Sequence, residues 1–297
     1  MHLRHDASGP AEQVTAPAPA PEPARTRTGR NLPVAIGVGV LLGGLAVLTL
    51  FTVKATFLLY VGAIVVAALW ELSRALGSRG IYLPLIPVVA GGAAMVTLAY
   101  WVGVRDSLAA FAVTFVVLLA WRLRGEASGY LRDVTASVFA LVYMPLAAVF
   151  VALMLARPDG DRRALLFLIL TVCSDVGGYF AGIGFGKHLM APAISPKKTW
   201  EGLAGSAAAC LAAGAIGLPG LLHGQVWQGL LLGAAALAIA TLGDLVESMI
   251  KRDLQVKDMG SLLPGHGGVL DRIDALLLMA PVVWLLLAVF IPNGHAV

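Results

Sequence analysis

Apolar residues dominate the chain from residue 32 onward, in runs that short polar segments separate. Each run is close to the roughly 20 residues that an α-helix needs to cross the hydrocarbon core of a bilayer. The pattern therefore predicts an all-α, polytopic integral membrane protein with about nine transmembrane helices. The runs cover residues 32–53, 55–73, 81–103, 107–121, 131–155, 163–185, 200–222, 226–248 and 271–291.

Composition supports the membrane class. The chain has 297 residues, of which 59% are hydrophobic and only 13% are charged, and its mean hydropathy is +0.85. Soluble domains are nearer 45–50% apolar and about 25% charged. The net charge of +4 is small and its cations are not massed in one run, so nucleic acid is not an expected partner.

The pattern divides the chain into three regions. Residues 1–31 are rich in proline and alanine and cannot form a core, which predicts a disordered cytoplasmic tail. Residues 32–160 hold the N-terminal transmembrane helices, and residues 161–297 hold a C-terminal transmembrane region that carries most of the polar features. The joint at Lys54 is so short that the first two helices are expected to form a hairpin.

Lysine and arginine placement predicts the orientation, because cytoplasmic loops of membrane proteins carry an excess of these residues. With the N-terminus in the cytoplasm, the charged loops around residues 187–198 and 251–272 both face the cytoplasm. The basic residues left on the outside are Lys54, Arg105, Arg157, Arg162 and Arg163.

The segment from residue 243 to residue 274 concentrates acids at the ends of two spanning helices. Asp244 and Glu247 are three residues apart and share a helix face with Lys251, while Asp271 and Asp274 repeat that spacing on the next helix. Acids at membrane depth are costly and usually functional. All-oxygen ligands favour Mg²⁺ over Zn²⁺. The alternative interpretation is a set of helix-end carboxylates that pair with nearby cations.

A glycine-rich loop lies between these two helices and includes His266, Gly267 and Gly268. Glycines let backbone N–H groups approach an anion closely, and the helix that follows offers its positive N-terminus. Acids for a metal and cations for phosphates are the parts required for phosphoryl or nucleotidyl transfer. The cations of this segment are Lys251, Arg252, Lys257 and Arg272.

A second polar patch precedes the seventh run and contains Ser195, Lys197 and Lys198. A basic interfacial loop anchored by Trp200 is the alternative interpretation. Upstream, Asp175 lies inside the sixth run, where an acid is expected to face the protein interior or a water-filled cavity. We expect this patch and Asp175 to meet the 243–274 segment across the bundle.

The run from Ser248 to Asp274 closely resembles the signature of the phosphatidate cytidylyltransferases, with its Lys-Arg, Lys-Asp, His-Gly-Gly and Asp-Arg-x-Asp positions. The region from Asp175 to Gly202 resembles the second conserved block of that family. The resemblance implies a membrane enzyme that converts CTP and phosphatidic acid into CDP-diacylglycerol and pyrophosphate in phospholipid biosynthesis. It also implies Mg²⁺, a second, monovalent cation such as K⁺, a homodimer, and a location in the cell (inner) membrane.

The resemblance assigns roles to matching residues. Asp244 and Asp271, with Asp274 close by, are the expected metal ligands, and Lys251 and Arg272 complete the catalytic set. Ile183 departs from the family pattern, in which a basic residue is common. The expected CTP-phosphate ligands are Lys251, Arg252, Lys257, His266, Gly267 and Gly268; the expected lipid-phosphate ligands are Ser195, Lys197 and Lys198; and Asp175 is expected to support them.

Two alternatives to this function are open from the residues. A CTP-dependent lipid kinase, acting on a polyprenol or phytol, would use a similar set of acids and cations. A cation transporter with acids at Asp175, Asp244 and Asp271 would move ions without consuming CTP.

Overall fold

The computed structural model describes residues 32–125, 127–191, 195–263 and 267–292, so the predicted tail lies outside the described residues. Within those ranges the chain forms ten α-helices and one antiparallel β-hairpin. The elements are α1 (Leu32–Thr52), α2 (Lys54–Gly77), α3 (Leu85–Trp101), α4 (Val104–Arg122), α5 (Tyr130–Tyr143), α6 (Pro145–Leu155), α7 (Gly160–Phe185), β1 (Leu189–Ala191), β2 (Ser195–Thr199), α8 (Trp200–Leu222), α9 (Val226–Asp253) and α10 (Leu270–Phe290).

The helices coincide with the predicted apolar runs, which confirms an all-α membrane protein. Seven helical stretches in the described residues are long and apolar enough to span a bilayer, with α5 and α6 counted together. Two further apolar helical stretches, Gly37–Thr52 within α1 and Leu85–Trp101 (α3), are not among these seven, so a count of nine spans stays a prediction. The fifth run is divided at Pro145, which has no N–H to continue the hydrogen bonds of α5.

The predicted hairpin at Lys54 is confirmed. Only Val53 separates α1 from α2, and the two helices pack against each other. The Tyr60 hydroxyl donates a hydrogen bond to the Leu42 carbonyl across this contact, at 3.0 Å. An interhelical hydrogen bond of this kind satisfies a polar group that hydrocarbon could not.

α10 is the central element of the bundle. It packs against α2, α6, α7 and α9. One hydrophobic cluster joins it to α2, α3, α5 and α6, and a second cluster joins it to α1, α7, α8 and α9. Because Asp271 and Asp274 lie in the first two turns of α10, the fold brings these acids to the part of the bundle where both clusters meet.

The C-terminal end of α10 is held by a buried ion pair. Arg163 on α7 pairs with Asp159 at 2.8 Å, and both side chains are buried. The same guanidinium donates to the carbonyls of Leu287 at 3.2 Å and Ile291 at 2.7 Å. The Leu287 carbonyl also accepts the Ile291 N–H at 3.0 Å, so the guanidinium adds a second donor there and satisfies the Ile291 carbonyl beyond the last turn.

Glycines allow α7 and α8 to pack closely. A Cβ atom at Gly177 would lie 2.7 Å from the Gly205 carbonyl oxygen, and one at Gly202 would lie 3.1 Å from the Gly178 carbonyl oxygen. Ser206 bridges the same interface by donating to the Ser174 carbonyl at 2.6 Å. Small residues at such interfaces favour helix association in lipid.

Candidate active site

The C-terminal half of α9 presents three charged side chains to α10. Asp244, Glu247 and Lys251 follow the helical repeat and so share one face. The Lys251 ammonium donates to Glu247 within α9 and to Asp271 of α10, the latter at 3.0 Å. Lys251 therefore links two carboxylates on different helices.

Asp271 also organises the chain that leads into α10. Its Oδ2 accepts the N–H of Gly268 at 2.9 Å and the N–H of Met259 at 3.1 Å. Its side chain is only 5% exposed. An acid in the first turn interacts favourably with the positive end of the helix. Asp271 thus holds both ends of the 259–268 segment.

Asp244 and Asp274 meet because Gly243 lets α9 and α10 approach. A Cβ atom at Gly243 would lie 2.9 Å from the Asp274 carbonyl oxygen. The side chain of Asp274 reaches that of Asp244, and its Oδ1 accepts the N–H of Ala275 at 2.8 Å. The acids of α9 and α10 therefore lie at one level of the bundle.

The β-hairpin carries a lysine that contacts an acid of α9. Leu189 pairs with Thr199, and Ala191 pairs with Ser195. The Lys198 ammonium that β2 carries forms an ion pair with Asp244. Thr199 then caps α8 by accepting the N–H of Gly202 at 3.1 Å, which fixes the step from strand to helix.

A polar cavity of about 270 Å³ lies between α7, α8 and α9. Asp175, Lys198 and Asp244 all line it, together with Thr199 and Ser206. Asp175 is accessible to solvent from this cavity. The expected meeting of Asp175 and the Lys198 patch with the 243–274 segment is therefore present in the structure.

The comparisons with known proteins agree with this arrangement. The model of the cytidylyltransferase family matches residues 33–290. The chain belongs to the cytidylyltransferase family. It is 44% identical over 274 residues to a phosphatidate cytidylyltransferase of Mycobacterium leprae (strain TN), which covers 86% of this chain and 88% of that protein.

Two further relatives in the cytidylyltransferase family carry the same name. The phosphatidate cytidylyltransferase of Mycobacterium bovis (strain ATCC BAA-935 / AF2122/97) is 40% identical over 270 residues, covering 86% of this chain and 88% of that protein. That of Pseudomonas aeruginosa (strain PAO1) is 34% identical over 268 residues, covering 84% of this chain and 91% of that protein. The similarity therefore extends into the N-terminal helices, well beyond the two motifs.

The other predicted site residues of this cytidylyltransferase-family chain are dispersed. Arg252 and Lys257 are exposed at and beyond the end of α9. Arg272 is exposed, lines an apolar cavity and lies within electrostatic reach of Asp175. Ser195 is the first residue of β2, where it pairs with Ala191 of β1. His266 and the side chain of Lys197 lie outside the described residues.

The predicted phosphate-binding glycines are described from Gly267 onward. Gly267 has a φ of +85°, a conformation that favours glycine. A Cβ atom at Gly268 would lie 2.8 Å from Asp271 Oδ2, so the loop follows the carboxylate closely. In this structure the Gly268 N–H is already donated to Asp271.

Glu247 was not among the predicted site residues, although it lies at the centre of the cluster. Its side chain is 3% exposed, and its Oε1 has no hydrogen-bond partner among the described residues. The signal in the sequence was its spacing, three residues after Asp244 and four before Lys251. An unsatisfied buried carboxylate oxygen beside other acids marks a place for a cation.

Glu71 was also missed, because it comes from α2, almost 200 residues away in sequence. It is 1% exposed, and its Oε2 accepts the N–H of Leu270 at 3.0 Å. A Cβ atom at Gly268 would lie 2.7 Å from the same oxygen, and one at Gly260 would overlap the carboxylate. Its only signal in sequence was an acid within an apolar run.

The carboxylates of α9 and α10 suit a divalent cation in chemistry and charge. The cluster offers carboxylate oxygens only, as Mg²⁺ prefers, and Glu247 Oε1 has no partner among the described residues. Asp244 and Asp271 are each bonded to a lysine. Within the described part of the chain, no three His, Cys, Asp or Glu side chains are already grouped for metal binding.

Proposed function

We propose that this chain is a phosphatidate cytidylyltransferase, which forms CDP-diacylglycerol and pyrophosphate from CTP and phosphatidate. Membership of the family and the names of its relatives support this activity. The observation that carries the proposal is the pair of lysine–carboxylate contacts, Lys198 with Asp244 and Lys251 with Asp271. They link cations and acids of three elements, β2, α9 and α10.

The proposed reaction joins two polyanions, so the barrier is mainly repulsion and positioning. A phosphate oxygen of phosphatidate attacks the α-phosphorus of CTP, and the bond from that phosphorus to the bridging oxygen breaks. The electron pair leaves with pyrophosphate. A phosphate monoester is already a nucleophile near neutral pH, so no strong general base is required, and His266 is proposed as a hydrogen-bond donor.

The proposed cation roles follow the positions of the side chains. Lys251 and Arg272, with Arg252 and Lys257, stabilise the phosphates of CTP beside the loop of His266, Gly267 and Gly268. In the structure the N–H groups of Gly267 and Gly268 are donated to Leu263 and Asp271, so these glycines are proposed to act by letting the phosphates approach the loop closely. Ser195, Lys197 and Lys198 neutralise the phosphate of the lipid at the interface, and Asp175 supports Lys198 from across the polar cavity. Lysine and arginine serve here as positive charges opposite the substrate phosphates.

Asp244, Asp271 and Asp274 are the proposed Mg²⁺ ligands, and Glu247 joins them on its position in the cluster. A bound divalent cation would polarise the phosphoryl oxygens and neutralise the leaving pyrophosphate. Lys198 pairs with Asp244 and Lys251 pairs with Asp271. A substrate phosphate that approached these acids would therefore meet a lysine at each of them.

The proposed arrangement in the membrane has nine spans, with the N-terminus and the active site on the cytoplasmic side of the inner membrane. Residues 161–297 supply the predicted catalytic residues. Residues 32–160 contribute Glu71, which contacts the loop before α10. The homodimer and the monovalent cation stay predictions that rest on the family resemblance alone.

The activity is tested with purified protein in mixed micelles that contain phosphatidate, with CTP labelled in its α-phosphate. The wild-type chain is expected to release pyrophosphate and to move the label into lipid, with a requirement for added Mg²⁺. Asp244→Asn and Asp271→Asn each remove a metal ligand and the partner of a lysine. We expect each to lower kcat by at least about 100-fold.

Asp106→Asn is the matched control, since Asp106 is an exposed acid in the first turn of α4. It is expected to keep wild-type turnover. Wild-type turnover in both site variants would refute the metal assignment. Release of CDP rather than pyrophosphate would indicate a lipid kinase, and cation flux without CTP consumption would indicate a transporter.

A further inference from the structure

Tyr143, the last residue of α5, brings a polar group from the N-terminal half of the chain into the protein interior. It is the one residue between positions 138 and 155 whose side chain carries an oxygen or nitrogen atom. Pro145 begins α6 just beyond it and has no N–H to continue the helix, so α5 ends at this point. The Tyr143 side chain is nevertheless buried, with the residue 7% exposed.

Apolar neighbours hold the ring of Tyr143 in place. The ring stacks on that of Phe139, one turn earlier in α5, with the centroids 5.1 Å apart and the planes at 17°. Tyr143 also belongs to the hydrophobic cluster that contains Leu270 and Ile273 of α10. Each of these two residues directly precedes an acid in the first two turns of α10. The ring therefore packs in the part of the bundle that carries the acids.

The Tyr143 hydroxyl is buried without a hydrogen-bond partner among the described residues. In the described part of the chain, two other buried side-chain atoms share this condition, Glu71 Oε1 and Glu247 Oε1. Buried polar groups nearly always have a partner, because an unpaired group has lost its hydrogen bonds to water without replacement. A phenylalanine would fill the same space at no such cost. The hydroxyl therefore points to a polar partner that it meets when the site is loaded.

Three acids lie within electrostatic reach of this hydroxyl. They are Asp274, Glu247 and Asp244, and Asp274 interacts with it most strongly. All three are among the proposed cation ligands. A phenol is a hydrogen-bond donor that carries no charge near neutral pH. It can therefore satisfy a carboxylate oxygen without competing with a metal for the negative charge, as a further lysine would.

We propose that Tyr143 is a positioning residue of the candidate active site, whose hydroxyl donates to the Asp274 carboxylate when the acids hold a divalent cation. This inference rests on the proposed function, in which Asp274 is a ligand of that cation. Ligating carboxylates are commonly hydrogen-bonded by an outer partner that fixes their orientation. Two lysines contact the other proposed aspartate ligands, and Tyr143 supplies a neutral donor to Asp274.

The proposal predicts that stability and cation binding respond differently to one small change. Tyr143→Phe removes the hydroxyl and keeps the ring, its stack on Phe139 and its place in the cluster. Without a cation the change breaks no hydrogen bond of the structure, so it is not expected to lower stability. With a cation it removes a donor to one of the ligands. The variant is therefore expected to fold like the wild type and to bind the cation less tightly.

Tyr130 provides a matched control at the opposite end of the same helix. Its hydroxyl is half-buried and donates to the Leu119 carbonyl at 3.1 Å. Tyr130→Phe therefore loses a hydrogen bond that the structure shows, and it is expected to be less stable than the wild type. Its cation affinity is expected to be unchanged. The two tyrosine variants thus move different measurements.

Mn²⁺ is the probe, titrated into purified protein in detergent without CTP or lipid and followed by the electron paramagnetic resonance of the free ion. Tyr143→Phe is expected to raise the Kd for Mn²⁺ by about 10-fold, in the range of lost outer partners. Tyr130→Phe is expected to stay within about twofold of the wild type by the same comparison. Thermal unfolding in EDTA is expected to give a lower Tm for Tyr130→Phe only.

A double-mutant cycle with Asp274→Asn tests the assigned partner. If the hydroxyl acts through Asp274, adding Tyr143→Phe to Asp274→Asn is expected to weaken Mn²⁺ binding by less than about twofold more. A full further loss in that background, or an unchanged Kd in Tyr143→Phe alone, would overturn the inference. So would a wild-type protein that binds no Mn²⁺. Tyr143→Met, which also lacks the hydroxyl, takes its place in the titration if Tyr143→Phe does not fold.

The inference and the proposed function fail in different ways. If the wild type shows no CTP-dependent turnover, the proposed function fails, yet the Mn²⁺ titration still reports whether Tyr143 supports the cation site. If turnover is normal, the Mg²⁺ concentration for half-maximal turnover is expected to rise in Tyr143→Phe by about the same 10-fold factor, with kcat at saturating Mg²⁺ near that of the wild type. Normal turnover with an unchanged Mg²⁺ requirement would leave the function standing and the role of Tyr143 refuted.

Discussion

Single residues decide whether the backbone near the acids is held in place, and Glu71 is the clearest case. Its carboxylate accepts the Leu270 N–H and faces the N–H groups of Leu262 and Val269. A buried acid in a membrane helix is costly unless such donors satisfy it. Glu71 therefore positions the loop that precedes Asp271. None of the described hydrogen bonds joins Glu71 to Asp271, so we do not assign Glu71 as a metal ligand.

Glu71→Ala is expected to lower kcat by about 100-fold, because small displacements of a catalytic group have effects of that size. Glu71→Gln keeps an oxygen that can accept the Leu270 N–H and is expected to restore most of the activity. Steady-state kinetics on protein of verified monodispersity provides the measurement, with amide hydrogen exchange at Gly268 and Leu270 as the structural readout.

Asp133→Ala is the control for the loss of a buried acid. Asp133 is 2% exposed but pairs with Arg122 on α4, outside the candidate site. Its loss is expected to reduce stability while leaving kcat per folded molecule unchanged. Equal kcat in Glu71→Ala and the wild type, with unchanged exchange at Leu270, would contradict a positioning role.

At the scale of elements, α10 must be fixed at both ends for Asp271 and Asp274, in its first two turns, to meet α9. Its beginning is held by Asp271, and its end is held by Arg163 of α7, which bonds to Leu287 and Ile291. The arginine is itself neutralised by Asp159. The α7–α10 contact is therefore a buried charged network and not only a hydrophobic one.

Arg163→Met is expected to lower the free energy of unfolding by about 3–5 kcal/mol, since it leaves Asp159 buried without its partner. The Arg163→Met, Asp159→Leu double variant removes both charges and is expected to recover much of that loss. Thermal unfolding in detergent compares both with Arg162→Met, a neighbouring change that is expected to behave like the wild type. A double variant no more stable than the single one would contradict this account.

At the scale of the whole molecule, function depends on which side of the membrane holds the site. Nine spans with a cytoplasmic N-terminus put Ser261, beside the acidic cluster, in the cytoplasm and Arg105, at the start of α4, outside. Both residues are exposed. The positive-inside bias of the loops is the physical basis of this expectation.

Single-cysteine variants test this orientation, in a background where Cys173 and Cys210 are replaced by serine. In intact cells an impermeant maleimide is expected to label Arg105→Cys and to leave Ser261→Cys unmodified. After the membrane is opened, both are expected to react. Labelling of Ser261→Cys in intact cells would reverse the proposed topology.

The sequence predicted much of this molecule because the relevant signals are local. Apolar runs of membrane length predict helices wherever the backbone must satisfy its own hydrogen bonds in lipid. The spacing of Asp244, Glu247 and Lys251 predicts one helix face, and the motif from Ser248 to Asp274 indicates the family. The β-hairpin at residues 189–199 was not predicted, since its strands are only three and five residues long.

Tertiary structure decided how the charges are shared. No local pattern could indicate that Lys198 of β2 pairs with Asp244, or that Glu71 lies under the loop before α10, because these contacts join elements 46 and 199 residues apart in sequence. The pairing of Lys251 with Asp271, 20 residues away, is of the kind that the sequence left open as an alternative. In the sequence Arg272 is one of several cations in a single segment, whereas in the structure it lines an apolar cavity and lies within electrostatic reach of Asp175. Hydrophobicity and spacing determine the elements; the packing of glycine-rich faces determines which charged groups of different elements come within reach of each other.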